Sequence, residues 1–90
     1  MVTVIRFFAD TGAEHPIWDE DGALWDLDEL PLDPTLRTRL EAWADEASWP
    51  DNYLGKPAVI ERLRRDGRRL ATEVQINLGG SFDVRWDWHA

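Results

Sequence analysis

The apolar residues between positions 57 and 78 recur with a period of 3.6, the spacing that places side chains on one face of an α-helix. Pro57 suits the first helical position because proline has no amide hydrogen to leave unpaired, and Gly79-Gly80 suits the end of a helix. The pattern predicts one helix of about 33 Å, at 1.5 Å per residue. A break at Asp66-Gly67 is the alternative, but Gly67 keeps the phase and would let another helix approach closely. The apolar stripe comprises Val59, Ile60, Leu63, Gly67, Leu70, Ala71, Val74 and Leu78.

A second, earlier helix is predicted from Pro34 to Ser48. The carboxylate of Asp33 can accept hydrogen bonds from the free amides of the first turn, and Trp49-Pro50 ends the helix. Its apolar residues share one face, which we expect to lie in the core. These residues are Leu36, Leu40, Trp43, Ala44 and Ala47.

Two strands are predicted, one near each end of the chain. Residues 2–8 are rich in β-branched and aromatic side chains, and the region 82–88 alternates apolar with charged residues. The apolar positions of that second region are Phe82, Val84, Trp86 and Trp88. The sequence therefore predicts an α+β fold, in which a small sheet of the N- and C-terminal strands packs against two helices in a single domain of residues 1–90.

An acidic segment lies between the first strand and the first helix. Residues 10–33 hold nine carboxylates and no Lys or Arg, and Trp18 and Trp25 flank a turn signal at Asp21-Gly22. If Asp21-Gly22 forms a two-residue hairpin turn, Trp18 and Trp25 are cross-strand neighbours. An irregular loop is the alternative. The segment 27–32 is expected to be a connector, with Leu30-Pro31-Leu32 holding the chain onto the core.

This acidic segment has the composition of a surface that binds a basic protein, because carboxylates steer the encounter and large rings provide buried contact area. The chain carries a net charge of -8, and 13 acids against 3 bases place all of the excess in residues 1–53. We therefore expect a non-enzymatic inhibitor that docks on a basic toxin or enzyme. An acidic surface that serves solubility alone is the alternative. The expected partner-binding residues are Trp18, Asp19, Glu20, Asp21, Trp25, Asp26, Asp28 and Glu29.

Several kinds of site are not predicted. The chain has no cysteine, which fits a reducing cytoplasm, and the acidic loop lacks the spacing of a calcium-binding loop, so we expect neither a metal nor a cofactor. His15 and His89 are isolated in the sequence and are expected at the surface. No nucleophile with a neighbouring base is apparent, so no catalytic residues are expected.

The longer helix also carries a run of arginines, which raises the question of nucleic-acid binding. Spacings of four residues favour ion pairs within the helix instead: Glu61 with Arg65, Arg62 with Asp66, and Arg69 with Glu73. The alternative function is a homo-oligomeric structural or regulatory protein, in which this face attracts the acidic half of a second copy in a head-to-tail or symmetric homodimer. The net negative charge argues against nucleic acid and against anionic membranes. The arginines are Arg62, Arg64, Arg65, Arg68 and Arg69.

Two stretches of the chain resemble small uncharacterised acidic proteins of high-GC Gram-positive bacteria. The first contains Leu30-Pro31-Leu32 with Leu36, Leu40 and Trp43, and the second runs from Gly67 to Gly79. These are core and capping positions, so the resemblance implies a shared fold and transfers no catalytic residue. By size and charge the chain is also similar to immunity proteins, which cap the active site of a toxin; the analogy implies a comparable inhibitory role.

Overall fold

The structure, a computed structural model, describes residues 1–88 and has the predicted α+β architecture. These residues form three strands and two helices, and a short 3₁₀ turn precedes each helix, Leu27–Glu29 the first and Pro50–Asn52 the second. His89 was expected at the surface and lies outside the described residues. The strands and helices are β1 (Thr3–Phe7), β2 (Ile17–Trp18), α1 (Pro34–Ala47), α2 (Pro57–Leu78) and β3 (Phe82–Trp86).

The three strands form one mixed sheet in the order β2-β1-β3. The first and last strands pair, as predicted, and they run parallel, from Thr3 opposite Phe82 to Phe7 opposite Trp86. A parallel pair needs a crossover connection, and α1 and α2 lie within it. β2 pairs antiparallel with the other side of β1, so β2 and β3 are the two edges of the sheet.

Both helices lie where the sequence predicts them. Asp33 Oδ1 accepts hydrogen bonds from the amides of Thr35 at 2.8 Å and Leu36 at 3.4 Å, so it caps α1. The helix ends one residue before the predicted Ser48. α2 is continuous over 22 residues, which confirms the single helix, and Gly79 follows it with a φ of +81°.

Gly67 is the point of closest packing between α2 and the rest of the core. A Cβ placed on Gly67 would lie 2.6 Å from Cζ2 of Trp43 and 2.5 Å from Cη2 of Trp86. The close approach predicted at this glycine is therefore made by two indole rings, one from α1 and one from β3. The Trp43 ring is also fixed by its Nε1, which donates to the Leu63 carbonyl oxygen at 2.9 Å.

The side chain of Gln75 closes the outer edge of β3. Its Nε2 donates to the carbonyl oxygens of Phe82 at 2.8 Å and Gly79 at 3.2 Å, and its Oε1 accepts from the amide of Val84 at 2.8 Å. These groups would otherwise be unpaired at the sheet edge, where they could pair with another strand. One amide side chain from α2 therefore replaces part of a neighbouring strand.

The core joins the sheet to both helices in one apolar cluster. Ile5, Phe7 and Ile17 are fully buried in the sheet, and the predicted inward positions of α1 are all buried, as are Leu63 and the later stripe residues of α2. Leu30 and Leu32 pack against this cluster, as expected of the connector. Trp43 lies in this cluster, as predicted for its helix face, and Trp86 and Trp88 pack against it.

Candidate functional site

The acidic segment contains a hairpin with a three-residue turn, where the sequence suggested a turn of two residues. The Asp19 amide donates to the Ala23 carbonyl at 2.8 Å, and Gly22 adopts a φ of +91°. A three-residue loop of this kind needs a left-handed residue, which glycine supplies. Trp18 therefore lies opposite Leu24, and the expected pairing of Trp18 with Trp25 is wrong.

Asp19 shapes this turn through its side chain. Its Oδ1 accepts hydrogen bonds from the amides of Asp21 and Ala23, each at 2.9 Å, and its carbonyl oxygen accepts from the Gly22 amide at 3.1 Å. Such contacts between an aspartate and the backbone two to four residues later stabilise tight turns. Glu20 and Asp21 are held exposed at the tip, and neither forms an ion pair with any residue of 1–88.

Trp18 is half-buried on the sheet face that lies opposite the helices. Its ring stacks on Phe8 at 4.7 Å between centroids with an interplanar angle of 8°, and its Nε1 donates to the Phe8 carbonyl at 2.9 Å. The Arg6 guanidinium lies 5.0 Å from the centroid of the Phe8 ring. Trp18 is therefore held rigidly, with part of its ring still accessible.

Trp25 is anchored by its backbone and half-buried by its ring. Its amide donates to the Ile17 carbonyl at 3.0 Å, and its carbonyl oxygen lies 2.7 Å from Nε2 of His15. Within the described residues the indole nitrogen of Trp25 is buried without a hydrogen-bond partner. The ring thus contributes chiefly apolar surface.

His15 is buried at 5% exposure, so its expected surface location is wrong. Its Nδ1 accepts from the Ile17 amide at 3.1 Å, which leaves Nε2 to carry the proton that is donated to the Trp25 carbonyl. Burial of the ring lowers the pKa of His15 below its ordinary value. A neutral imidazole therefore joins the two ends of the hairpin.

Beyond the hairpin, a second group of acidic residues lies at the 3₁₀ turn Leu27–Glu29: Asp26, Asp28 and Glu29. Asp26 caps this turn by accepting from the Asp28 amide at 3.0 Å, and Asp28 forms an ion pair with Arg37 of α1 at 2.6 Å. The hydrogen bond that Arg37 donates to Asp28 raises the pKa of Arg37. Glu29 is exposed and has no ion pair within the described part of the chain.

Leu24 and Trp25 lie in the sequence between the acidic residues of the hairpin (19–21) and those of the 3₁₀ turn (26–29). Leu24 is 42% exposed, and a shallow depression of about 300 Å³ is lined by Leu24, Trp25 and Asp26 together with Arg37 and Glu41. Protein interfaces have an apolar core and a polar rim, and Leu24 with the charged groups around it has that composition. Leu24 was not expected at the site, although its position between the two tryptophans was a signal for it.

The arginines of α2 are paired differently from the sequence prediction. Arg62 contacts Asp66 at 3.9 Å, as expected, but Glu73 binds Arg39 of α1 through two hydrogen bonds of 2.8 and 2.7 Å. Arg39 thereby lowers the pKa of Glu73. The predicted Arg69–Glu73 and Glu61–Arg65 pairs are absent from the described residues.

Arg62 keeps Asp66 and gains a second partner on α1, since it also donates two hydrogen bonds to Glu46. Because α1 packs beside α2, its charged residues compete for the partners that lie four positions away within α2. On the outer side of α2 an open groove of about 820 Å³ remains, lined by Lys56, Arg64, Arg65, Arg68 and Arg69 among others. The helix therefore carries a cationic surface.

Among residues 1–88, no group of three or more His, Asp or Glu side chains is placed to hold a metal ion. No helix in this part of the chain is both long and apolar enough to cross a membrane.

Comparison with curated proteins gives no match. The model of the family described as Serratia CdiI immunity protein-like matches residues 3–88, which include the whole sheet, both helices and the acidic segment. This match confirms the similarity to immunity proteins. The chain belongs to the Serratia CdiI immunity protein-like family.

Proposed function

We propose that this protein is an immunity protein of contact-dependent inhibition, which binds a toxin protein and neutralises it without catalysing a reaction. The observation that carries this proposal is the family match over residues 3–88. The chain thereby acts by occupying a surface of its partner.

We assign toxin binding to residues 18–29, the central part of the acidic segment. Glu20, Asp21 and Glu29 are exposed and have no ion pair with the described residues, so their charge is available to a basic partner. Leu24 supplies exposed apolar area between them. The Trp18 ring is held in place by Phe8, so little side-chain entropy is lost when a partner covers it, and the Trp25 backbone is held by the Ile17 carbonyl.

The test is the association rate with the purified toxin domain of the same bacterium's contact-dependent inhibition system. Replacing Glu20 and Asp21 together by Lys changes the net charge from -8 to -4. Electrostatic steering raises association rates by one to three orders of magnitude, so we expect the double variant to associate about tenfold more slowly at low salt. Its rate should also depend less on ionic strength than that of the wild type.

A matched control tests whether the effect depends on where the charges are changed or only on the change in net charge. Asp45 and Asp51 are exposed, lie on other elements and make no ion pair with residues 1–88; replacing both by Lys gives the same net charge. This control should retain most of the wild-type rate. An unchanged rate for the Glu20 and Asp21 variant would exclude the acidic surface, and a wild-type chain that does not bind the toxin would refute the immunity function.

A further inference from the structure

A cationic groove runs along the outer face of α2, although the protein as a whole is acidic. Lys56, Arg64, Arg65, Arg68 and Arg69 line it and are exposed, and Glu61 is the one acidic residue among its lining. Arg64, Arg68 and Arg69 make no ion pair with any part of the chain that the structure describes. The groove therefore keeps a local charge of +4 on a chain whose net charge is -8.

An exposed apolar side chain lies next to this groove in the sequence: Leu54 is 64% exposed and directly precedes the lining residues Gly55 and Lys56. Protein interfaces combine apolar and polar contacts, and arginine is enriched in them. The groove consequently offers both charge and buried area to a partner.

We propose that a second copy of this chain docks in the groove through the tip of its acidic hairpin, so that Glu20 and Asp21 of one copy face Arg64 and Arg68 of the next. The two surfaces are opposite in charge, and each carries an exposed apolar side chain, Leu24 or Leu54. This association is independent of the proposed immunity function.

The topology places the two surfaces on opposite sides of one molecule. The hairpin extends from β2 at one edge of the sheet, whereas α2 packs on β3 at the other edge. They can therefore meet between copies, and the contact is head-to-tail, with different surfaces on the two partners. The proposed function also assigns toxin binding to this tip, and on that assignment toxin binding and self-association exclude each other.

Repulsion between two chains of net charge -8 does not prevent this contact at moderate salt. The molecule extends 41 by 23 by 19 Å, whereas the Debye length is about 8 Å at 0.15 M ionic strength. Charges far from the contact are screened over such distances, and the facing carboxylates and guanidiniums are not. A nucleic acid is the less suitable occupant, since the whole-chain field repels a polyanion before it reaches the groove.

The experiment is sedimentation equilibrium of the full chain over a range of protein concentrations in 0.1 M salt. The wild type should show an average mass that rises above that of the monomer with concentration and returns towards it in 1 M salt. Two variants reverse one surface each: Glu20→Arg with Asp21→Arg, and Arg64→Glu with Arg68→Glu. Each variant alone should dissociate at least about tenfold more readily than the wild type, by analogy with charge pairs at other interfaces.

Mixing the two variants gives the decisive result. In the mixture a positive tip meets a negative groove, and the unchanged tip meets the unchanged groove, so association should return. The variant with Asp45→Arg and Asp51→Arg is the control and should associate like the wild type. A wild type that stays monomeric overturns the proposal, and so does an oligomer that neither variant weakens.

Fluorescence anisotropy with a labelled 20-base-pair DNA duplex tests the competing occupant. Duplex binding by the wild type that is lost with Arg64→Glu and Arg68→Glu would assign the groove to nucleic acid and overturn the proposal. No change in anisotropy would support the second copy. Because no toxin is present in either measurement, failure here is distinguishable from failure of the immunity function.

Discussion

Replacing Gly67 by Ala should destabilise the fold, although the same change in an exposed helix would stabilise it. The added Cβ would lie 2.5 to 2.6 Å from Cη2 and Cζ3 of Trp86 and from Cζ2 of Trp43, well inside van der Waals contact. Neither ring can move freely. Trp43 is held by its hydrogen bond to the Leu63 carbonyl, and Trp86 lies in β3 opposite Phe7.

Two opposing effects set the magnitude. Alanine is about 1 kcal/mol more favourable than glycine in a helix interior, whereas an extra methyl group in a packed core costs about 1–3 kcal/mol. Two rings are contacted at once, so the upper end of that range applies and the net loss should be about 2 kcal/mol. In a domain of this size such a loss lowers Tm by about 8–16 °C.

Urea denaturation followed by tryptophan fluorescence, with thermal unfolding as a second measurement, gives the free energy of unfolding. Thr72→Ala on the exposed face of α2 is the control and should be neutral or slightly stabilising. In a Trp86→Phe background, where the two Trp86 atoms that crowd the site are removed, Gly67→Ala should cost less. A Gly67→Ala variant as stable as the wild type, or more so, would refute this account of the packing.

Two further measurements test the edge of the sheet and the buried histidine. Gln75→Ala removes the hydrogen bonds to Phe82 and Val84, so unfolding in urea should become easier by about 1–3 kcal/mol, and the Val84 amide should exchange faster; unchanged exchange would contradict the proposed role of this side chain. The pKa of His15 is lowered by burial, so the unfolded chain takes up a proton first as the pH falls below about 6.5. The stabilisation by neutral His15 should therefore be complete above that pH and decline below it, with a smaller slope in His15→Gln; an NMR titration of His15 that gives a pKa at or above 6.5 would disprove this.

The helices could be predicted closely because their signals are local. Pro34 and Pro57 mark first helical positions, Gly79 marks an end, and the periodic apolar stripe does not depend on what packs against it. The α+β class was predicted because a strand pattern lies near each end of the chain, on either side of the two helices. Each of these signals lies within a few residues of the element that it predicts.

Three features could not be predicted from the sequence. The hairpin register depends on the local turn conformation, whereas the burial of His15 and the ion pairs of α2 depend on partners that are distant in the sequence. Asp21-Gly22 is compatible with both a two- and a three-residue loop, and the side chain of Asp19 favours the longer one. His15 has no periodic pattern around it, and its partner in the fold, the Trp25 carbonyl, lies ten residues away in the sequence. The four-residue spacing rule takes no account of a neighbouring helix, and for that reason it missed the Arg39–Glu73 pair.

The acidic segment shows why composition overstates the charge that a partner can meet. Asp19, Asp26 and Asp33 accept hydrogen bonds from backbone amides, and Asp28 is paired with Arg37, so these four carboxylates shape the surface. Removing one of them would change the loop as well as the charge, and a lost interaction would then have two explanations. Glu20 and Asp21 make no such contacts with residues 1–88, so substitutions there alter the electrostatic field alone. A change in association rate at these two positions therefore measures recognition and not folding.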